Sequence, residues 1–134
     1  MKQNFIIIRP DSTYDEVLIN TDNLLEGMYE TIGCELIETV PLGDEMMRLA
    51  HIKHPCELLV ICDEEGAIKG EPEYNEIASN LVGTAIFGNV LIATASEEDI
   101  TGLGYKRSTR ILQQLDLMVG YSPRPDDWRQ GGVS

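Results

Sequence analysis

Four groups of residues have types and spacings that could do chemistry. The run His51-Ile52-Lys53-His54-Pro55-Cys56 places two imidazoles and a thiol close together, with Cys62 or Asp63 as a possible fourth ligand. Four converging donors of this kind hold zinc, but the spacing matches no standard zinc pattern. A solvated loop with an incidental cysteine accounts for the run, so no metal ligand is assigned. The run Asp63-Glu64-Glu65-Gly66-Ala67-Ile68-Lys69-Gly70-Glu71-Pro72 sets carboxylates at the end of a strand. Paired carboxylates can do acid–base work or hold a hard cation, as in a metal-dependent hydrolase using Asp63 and Glu64. The alternating Asp/Asn spacing of a calcium loop is absent, and a tight turn selects Asp and Gly for backbone reasons alone. No residue is assigned a catalytic role.

The third group is Gly102-Leu103-Gly104 followed by Lys106, Arg107 and Arg110. Free N–H groups at a helix start, together with these bases, could hold a small anionic, nucleotide-like ligand. Bases there oppose the helix dipole, so either an anion or acids of the body would offset them. Neither the dinucleotide-binding glycine pattern nor a Walker A loop is present. The fourth group is acidic: residues 10–47 contain ten Asp or Glu and no Lys or Arg. Asp15, Glu16, Glu35 and Glu38 are its candidate partner-binding residues. Such a surface can imitate a phosphate backbone and occupy a basic partner, or it can simply be solvated.

These groups need a scaffold, and 134 residues with 43% hydrophobic and 25% charged residues suit one globular domain. The net charge of −13 argues against a surface that grips nucleic acid or anionic lipid as a whole. No apolar run approaches the roughly 20 residues of a membrane span, and the short run ending at Arg9-Pro10 is not a signal peptide. Three cysteines, Cys34, Cys56 and Cys62, make an odd count and read as reduced thiols in a cytoplasmic protein, Cys34 and Cys62 lying in strand-like runs. No cofactor is implied. Trp128 sits in a Pro- and Gly-containing segment, residues 121–134, expected to be an irregular tail.

Residues 4–9 read as a buried strand, and residues 14–19 as its hairpin partner. Asn23 and Glu26 have capping-box spacing ahead of a helix with Leu24, Leu25, Met28, Tyr29 and Ile32 on one face. Gly33 is placed to end it in the left-handed conformation. Residues 34–42 read as a strand, residues 46–54 as a strand running into a loop, and residues 57–62 and 90–94 as central strands. A short return strand is expected at residues 67–70 and a short helix at residues 75–81. Another helix start is expected at Ser96, followed by a last helix capped by Ser108 and carrying Ile111, Leu112, Leu115, Met118 and Val119. The sum is an α+β domain spanning residues 1–120, with a single mostly antiparallel β-sheet and two or three short helices packed on it.

The order of these runs resembles a family. Phe5-Ile6-Ile7-Ile8, Leu24-Leu25-Glu26-Gly27-Met28, the Asp63-to-Pro72 run with Asn75, and Ile86-Phe87-Gly88-Asn89-Val90-Leu91-Ile92 are similar to the DUF3846 family of small uncharacterised domains from phages, plasmids and gut bacterial mobile elements. The resemblance covers about residues 4–120. Its most specific parts are the acidic-acidic-Gly turn, the later Pro72 and Asn75, and the Gly88-Asn89 step. It implies no activity. It implies an accessory product of a mobile element in the bacterial cytoplasm. The resulting expectation is a non-enzymatic acidic binding protein that occupies a host component, such as a nucleic-acid-binding or defence protein. The alternatives are a binder of a small anionic signal or the hydrolase above. Direct contact with nucleic acid or membrane is not expected, and self-association is left open.

Overall fold

The computed structural model describes residues 1–53, 55–96 and 99–120. The expected tail with Trp128, and His54 of the imidazole–thiol run, lie outside the described residues.

Apolar residues in alternation build the sheet first. The hairpin β1 (Lys2–Ile8) and β2 (Tyr14–Asn20) pairs antiparallel, with Ile6 opposite Glu16 and Ile8 opposite Tyr14. Helix α1 (Leu24–Ile32) follows and ends at Gly33 in the left-handed conformation, φ 85°. Then come β3 (Ile37–Pro41), α2 (Asp44–Leu49), β4 (Cys56–Asp63), α3 (Glu76–Val82), β5 (Val90–Ser96), β6 (Asp99–Thr101) and α4 (Tyr105–Gly120). The sheet order is β2-β1-β5-β4-β3, with β6 also paired to β5, and each of these pairings is antiparallel. The chain is therefore an α+β domain, as its strand and helix patterning implies, with four α-helices among the described residues where two or three are expected.

Both faces of the central strands are covered. Ile6, Ile8, Leu58, Val60, Val90 and Ile92 share one core with Met46 of α2, Ile77 of α3, and Ile111 and Leu115 of α4. Phe5, Ile7, Ile61, Leu91 and Ala93 form the other core with Met28 and Ile32 of α1. Two-sided burial explains why β4 and β5 read as continuous apolar runs instead of alternating ones.

Several local expectations are corrected. Residues 44–49 form a helix, not a strand. Met46 and Ala50 are buried one turn apart, while Asp44 and Glu45 occupy the first turn and Arg48 the last, as the helix dipole favours. Residues 67–70 form a turn and a bend rather than a return strand: all four are exposed, and among the described residues no strand pairs with them. Ser96 closes β5, and β6 follows where a helix was expected, held by the Thr94 hydroxyl against Thr101. Asn23 makes no side-chain cap. Asn20 instead accepts from the N–H of Asp22. Helix α4 begins at Tyr105, and Ser108 is a buried first-turn residue. Asn4 of β1 caps this end by accepting from the N–H of Gly104 at 3.0 Å. Cys34 lies between α1 and β3, outside any strand.

Candidate functional site: an acidic surface at the end of α1

The loop after β4 is shaped by its first residue. Asp63 Oδ1 accepts from the N–H of Glu65 at 2.8 Å, and the Asp63 carbonyl accepts from Gly66 at 3.1 Å. This is turn chemistry of the kind that Asp supplies. Gly66 passes against residue 87, where an added Cβ would lie 3.0 Å from the Phe87 carbonyl. Only glycine permits that approach without displacement. The loop closes on Asn75, which is buried and caps α3 by accepting from Ala78. Its amide donates to Ile8 at 3.1 Å and Gly88 at 2.8 Å. Gly66, Asn75 and Gly88, among the most specific residues of the family resemblance, thus meet here and hold the loop's shape.

Lys69 folds back from the loop to Asp63, Nζ to Oδ2 2.5 Å, and also donates to the Gly33 carbonyl at 3.4 Å. The Asp63 side chain is only 7% exposed. Hydrogen bonding to Asp63 raises the Lys69 ammonium above its usual range. The ammonium also lies at the C-terminal end of α1, where a cation is favoured.

Three adjoining depressions surround this ion pair. A cleft of about 180 Å³ is lined by Gly33, Asp63, Lys69, Glu71, Glu73 and Asn89 among others. A second, of about 320 Å³, is lined by Gly33, Cys34, Glu35, Glu65 and Lys69. A third, of about 440 Å³, is lined by Glu26, Tyr29, Glu30, Cys34 and Glu35. Together they form one surface with the carboxylates of Glu26, Glu30, Glu35, Glu65, Glu71 and Glu73. Among the described residues its one base is Lys69, already committed to Asp63. Burial and the charge of Asp63 push the Cys34 thiol up, with Lys69 pulling the other way. This thiol is protonated at neutral pH and poorly suited to be a nucleophile.

The four acids singled out from sequence are divided by the fold. Glu35 belongs to this surface. Glu38 lies on β3, on the sheet face that carries Cys62, whose Sγ is 3.9 Å from Glu38 Oε1. Asp15 and Glu16 lie on β2, four strand spacings away, roughly 19 Å across the sheet. Asp15 is paired with Arg9 at 2.9 Å, and Glu16 accepts from Asn4 at 2.8 Å. Glu26 and Glu30, which join Glu35, were legible as an i,i+4 pair on the outer side of α1. Glu65, Glu71, Glu73 and Lys69 reach the same surface only through the path of the loop.

The glycine group has a different role from the one its spacing hinted at. The N–H of Gly102 donates to Gln3 Oε1 at 2.7 Å, that of Leu103 to the Asn4 carbonyl at 2.8 Å, and that of Gly104 to Asn4 Oδ1. An added Cβ at Gly102 would meet Gln3 Cβ at 2.7 Å. These glycines dock α4 onto β1, and their donors are taken. Lys106, Arg107 and Arg110 make no ion pair with other described residues. For the hydrolase alternative, both oxygens of Asp63 are engaged, and Glu64 is exposed. Among the described residues, no three His, Cys, Asp or Glu side chains are arranged to hold a metal ion. His51 is exposed in the turn after α2, and Cys56 is half-buried at the start of β4.

An antiparallel α+β domain with a polar, acid-lined surface at one helix end is the class that fold and site define. The chain belongs to the family described as Domain of unknown function (DUF3846), whose model matches residues 1–116. No curated protein and no solved structure matches it. Among the described residues, no helix is long and apolar enough to cross a membrane.

Proposed function

We propose that this chain is a non-enzymatic binding protein of phage or mobile-element type that works in the bacterial cytoplasm by occupying a host protein, such as a defence factor. The observation that carries the reading is the run of carboxylates Glu26, Glu30, Glu35, Glu65, Glu71 and Glu73 around three joined depressions whose single base, among the described residues, is internally paired. A surface of this kind attracts a basic partner by long-range steering and rejects acidic ones. Tyr29 supplies an aromatic contact beside Glu26, Glu30 and Glu35, of the type enriched in binding hot spots. The acids at Asp15, Glu16 and Glu38 contribute to the general field and not to this contact. Affinity capture from bacterial extract tests the reading. A partner retained at about 50 mM salt and released near 500 mM supports it, because screening shortens the reach of surface charge. Retention unaffected by salt and by the combined Glu26→Lys, Glu30→Lys and Glu35→Lys substitutions overturns it.

A second reading, a small anionic ligand at the start of α4, is favoured by one observation: Lys106, Arg107 and Arg110 have no acidic partner among the described residues. The occupied N–H groups of Gly102, Leu103 and Gly104 weigh against it. Thermal shift with a nucleotide panel separates the two, since a ligand at 100 times its Kd adds about 2.7 kcal/mol.

A further inference from the structure

We infer that residues 67–73 form a flap over the cleft beside α1, and that the Asp63–Lys69 ion pair is its latch. Residues 67–74 are all exposed, and the loop's one large apolar side chain, Ile68, is 79% exposed. The flap therefore has no hydrophobic anchor. Its ends are fixed. Gly66 packs against Phe87, the N–H of Gly88 donates to the Glu73 carbonyl at 2.7 Å, and the Tyr74 ring meets that of Phe87 edge-on. Between these ends the side-chain ties to the body, among the described residues, come from Lys69 alone, to Asp63 and to the Gly33 carbonyl.

The two walls of the cleft differ in the same way. Ile32, Gly33, Gly88 and Asn89 belong to the body, held by the α1 cap and by Asn75. Glu71 and Pro72 belong to the flap, and Glu73 stands at its fixed end. Releasing Lys69 moves one wall only. It also uncovers the carboxylate of Asp63, which stays in place at the end of β4. Segments with few buried contacts open locally at low free energy while the rest stays folded. The Asp63–Lys69 bond, with the longer tie from Lys69 to Gly33, thus sets how often the cleft is open.

Native-state proteolysis of the full chain by proteinase K, read by mass spectrometry, tests this. Lys69→Met is expected to raise nicking within residues 67–73 roughly tenfold or more, the effect of losing one hydrogen bond to a charged group. Asp63→Asn, which keeps an acceptor for Glu65 and leaves the longer Lys69–Gly33 bond, is expected to raise it in the same direction, and the double variant is expected to be no faster than Lys69→Met alone. Lys69→Arg is expected to stay latched. Urea midpoints measured beside each variant separate flap opening from global unfolding. Unchanged nicking in both Lys69→Met and Asp63→Asn overturns the inference. So does nicking that rises only in proportion to lost global stability.

Discussion

The side-chain amide of Asn75 donates to the carbonyl of Gly88 at 2.8 Å, joining the start of α3 to the turn that feeds β5. The same side chain donates to Ile8 at the end of β1 and caps α3, so three segments distant in sequence meet on one buried residue. Asn75→Ala removes a cap and leaves two carbonyls without their partner. Loss of about 3 kcal/mol is expected, combining the helix-cap and unsatisfied-acceptor effects. Asn75→Asp keeps the cap acceptor but cannot donate, and it too is expected to destabilise. Urea denaturation measures both, and a loss below about 1 kcal/mol for Asn75→Ala would show that the node carries little.

Gly102 and Gly70 make a contrasting pair. An added Cβ at Gly102 would lie 2.7 Å from Gln3 Cβ and 2.8 Å from the Asn4 carbonyl, whereas at Gly70 nothing lies within 4 Å. Gly102→Ala is expected to push α4 away from β1 and to destabilise by about 1–3 kcal/mol, the usual range for overpacking. Gly70→Ala is expected to fall within about 0.5 kcal/mol of the parent, as for open surface sites. Thermal unfolding of the two variants side by side checks the difference.

Cys62 offers a test by pH. Burial, followed by the charges of Glu38 and Asp63, pushes its thiol from 9.0 to about 12. A group whose pKa is raised on folding contributes stability in its protonated form. That contribution is complete below pH 9 and is lost as pH rises toward 12. Between these limits the parent is expected to lose stability more steeply than Cys62→Val, which has no thiol to ionise. Parallel slopes in urea titrations across this range would place the thiol in contact with solvent.

Much of the scaffold was legible in the residues themselves. The hairpin, α1 with its Gly33 stop, the central strands β4 and β5, and α3 after Asn75 follow from apolar periodicity and local cap chemistry. What escaped depends on distant partners. The cap of α4 comes from Asn4, a hundred residues earlier in the chain. The β6 strand forms because Thr94 and β5 offer it an edge, although Ser96 and Asp99 locally resemble a helix start. Helix α2 is short, and the burial of Met46 and of Ala50 at its C-terminal end depends on the core that α4 completes. The same limit applies to the site. Spacing located the acidic stretch and Glu35, but the strand order separates Asp15 and Glu16 from it. The glycines near α4 looked like an anion cradle because the sequence does not show that Gln3 and Asn4 use their donors.

The acidic surface should also act as a unit. Reversing Glu26, Glu30 and Glu35 together is expected to weaken partner binding by roughly 100-fold or more at low salt, since close interfacial charges couple by kcal/mol amounts. Reversing Asp15 and Glu16 is expected to change it by less than about threefold, as rim or remote charges act mainly on association rate. Equilibrium binding measured for both sets with the captured partner distinguishes a localised surface from a diffuse field.

The most direct test places a photo-reactive amino acid at Tyr29 and irradiates living bacteria. The account predicts one discrete adduct with a host protein, lost when Glu26, Glu30 and Glu35 are reversed, and no adduct from the same probe at Leu117 on α4. Absence of an adduct at Tyr29, or an adduct indifferent to the three reversals, would contradict it.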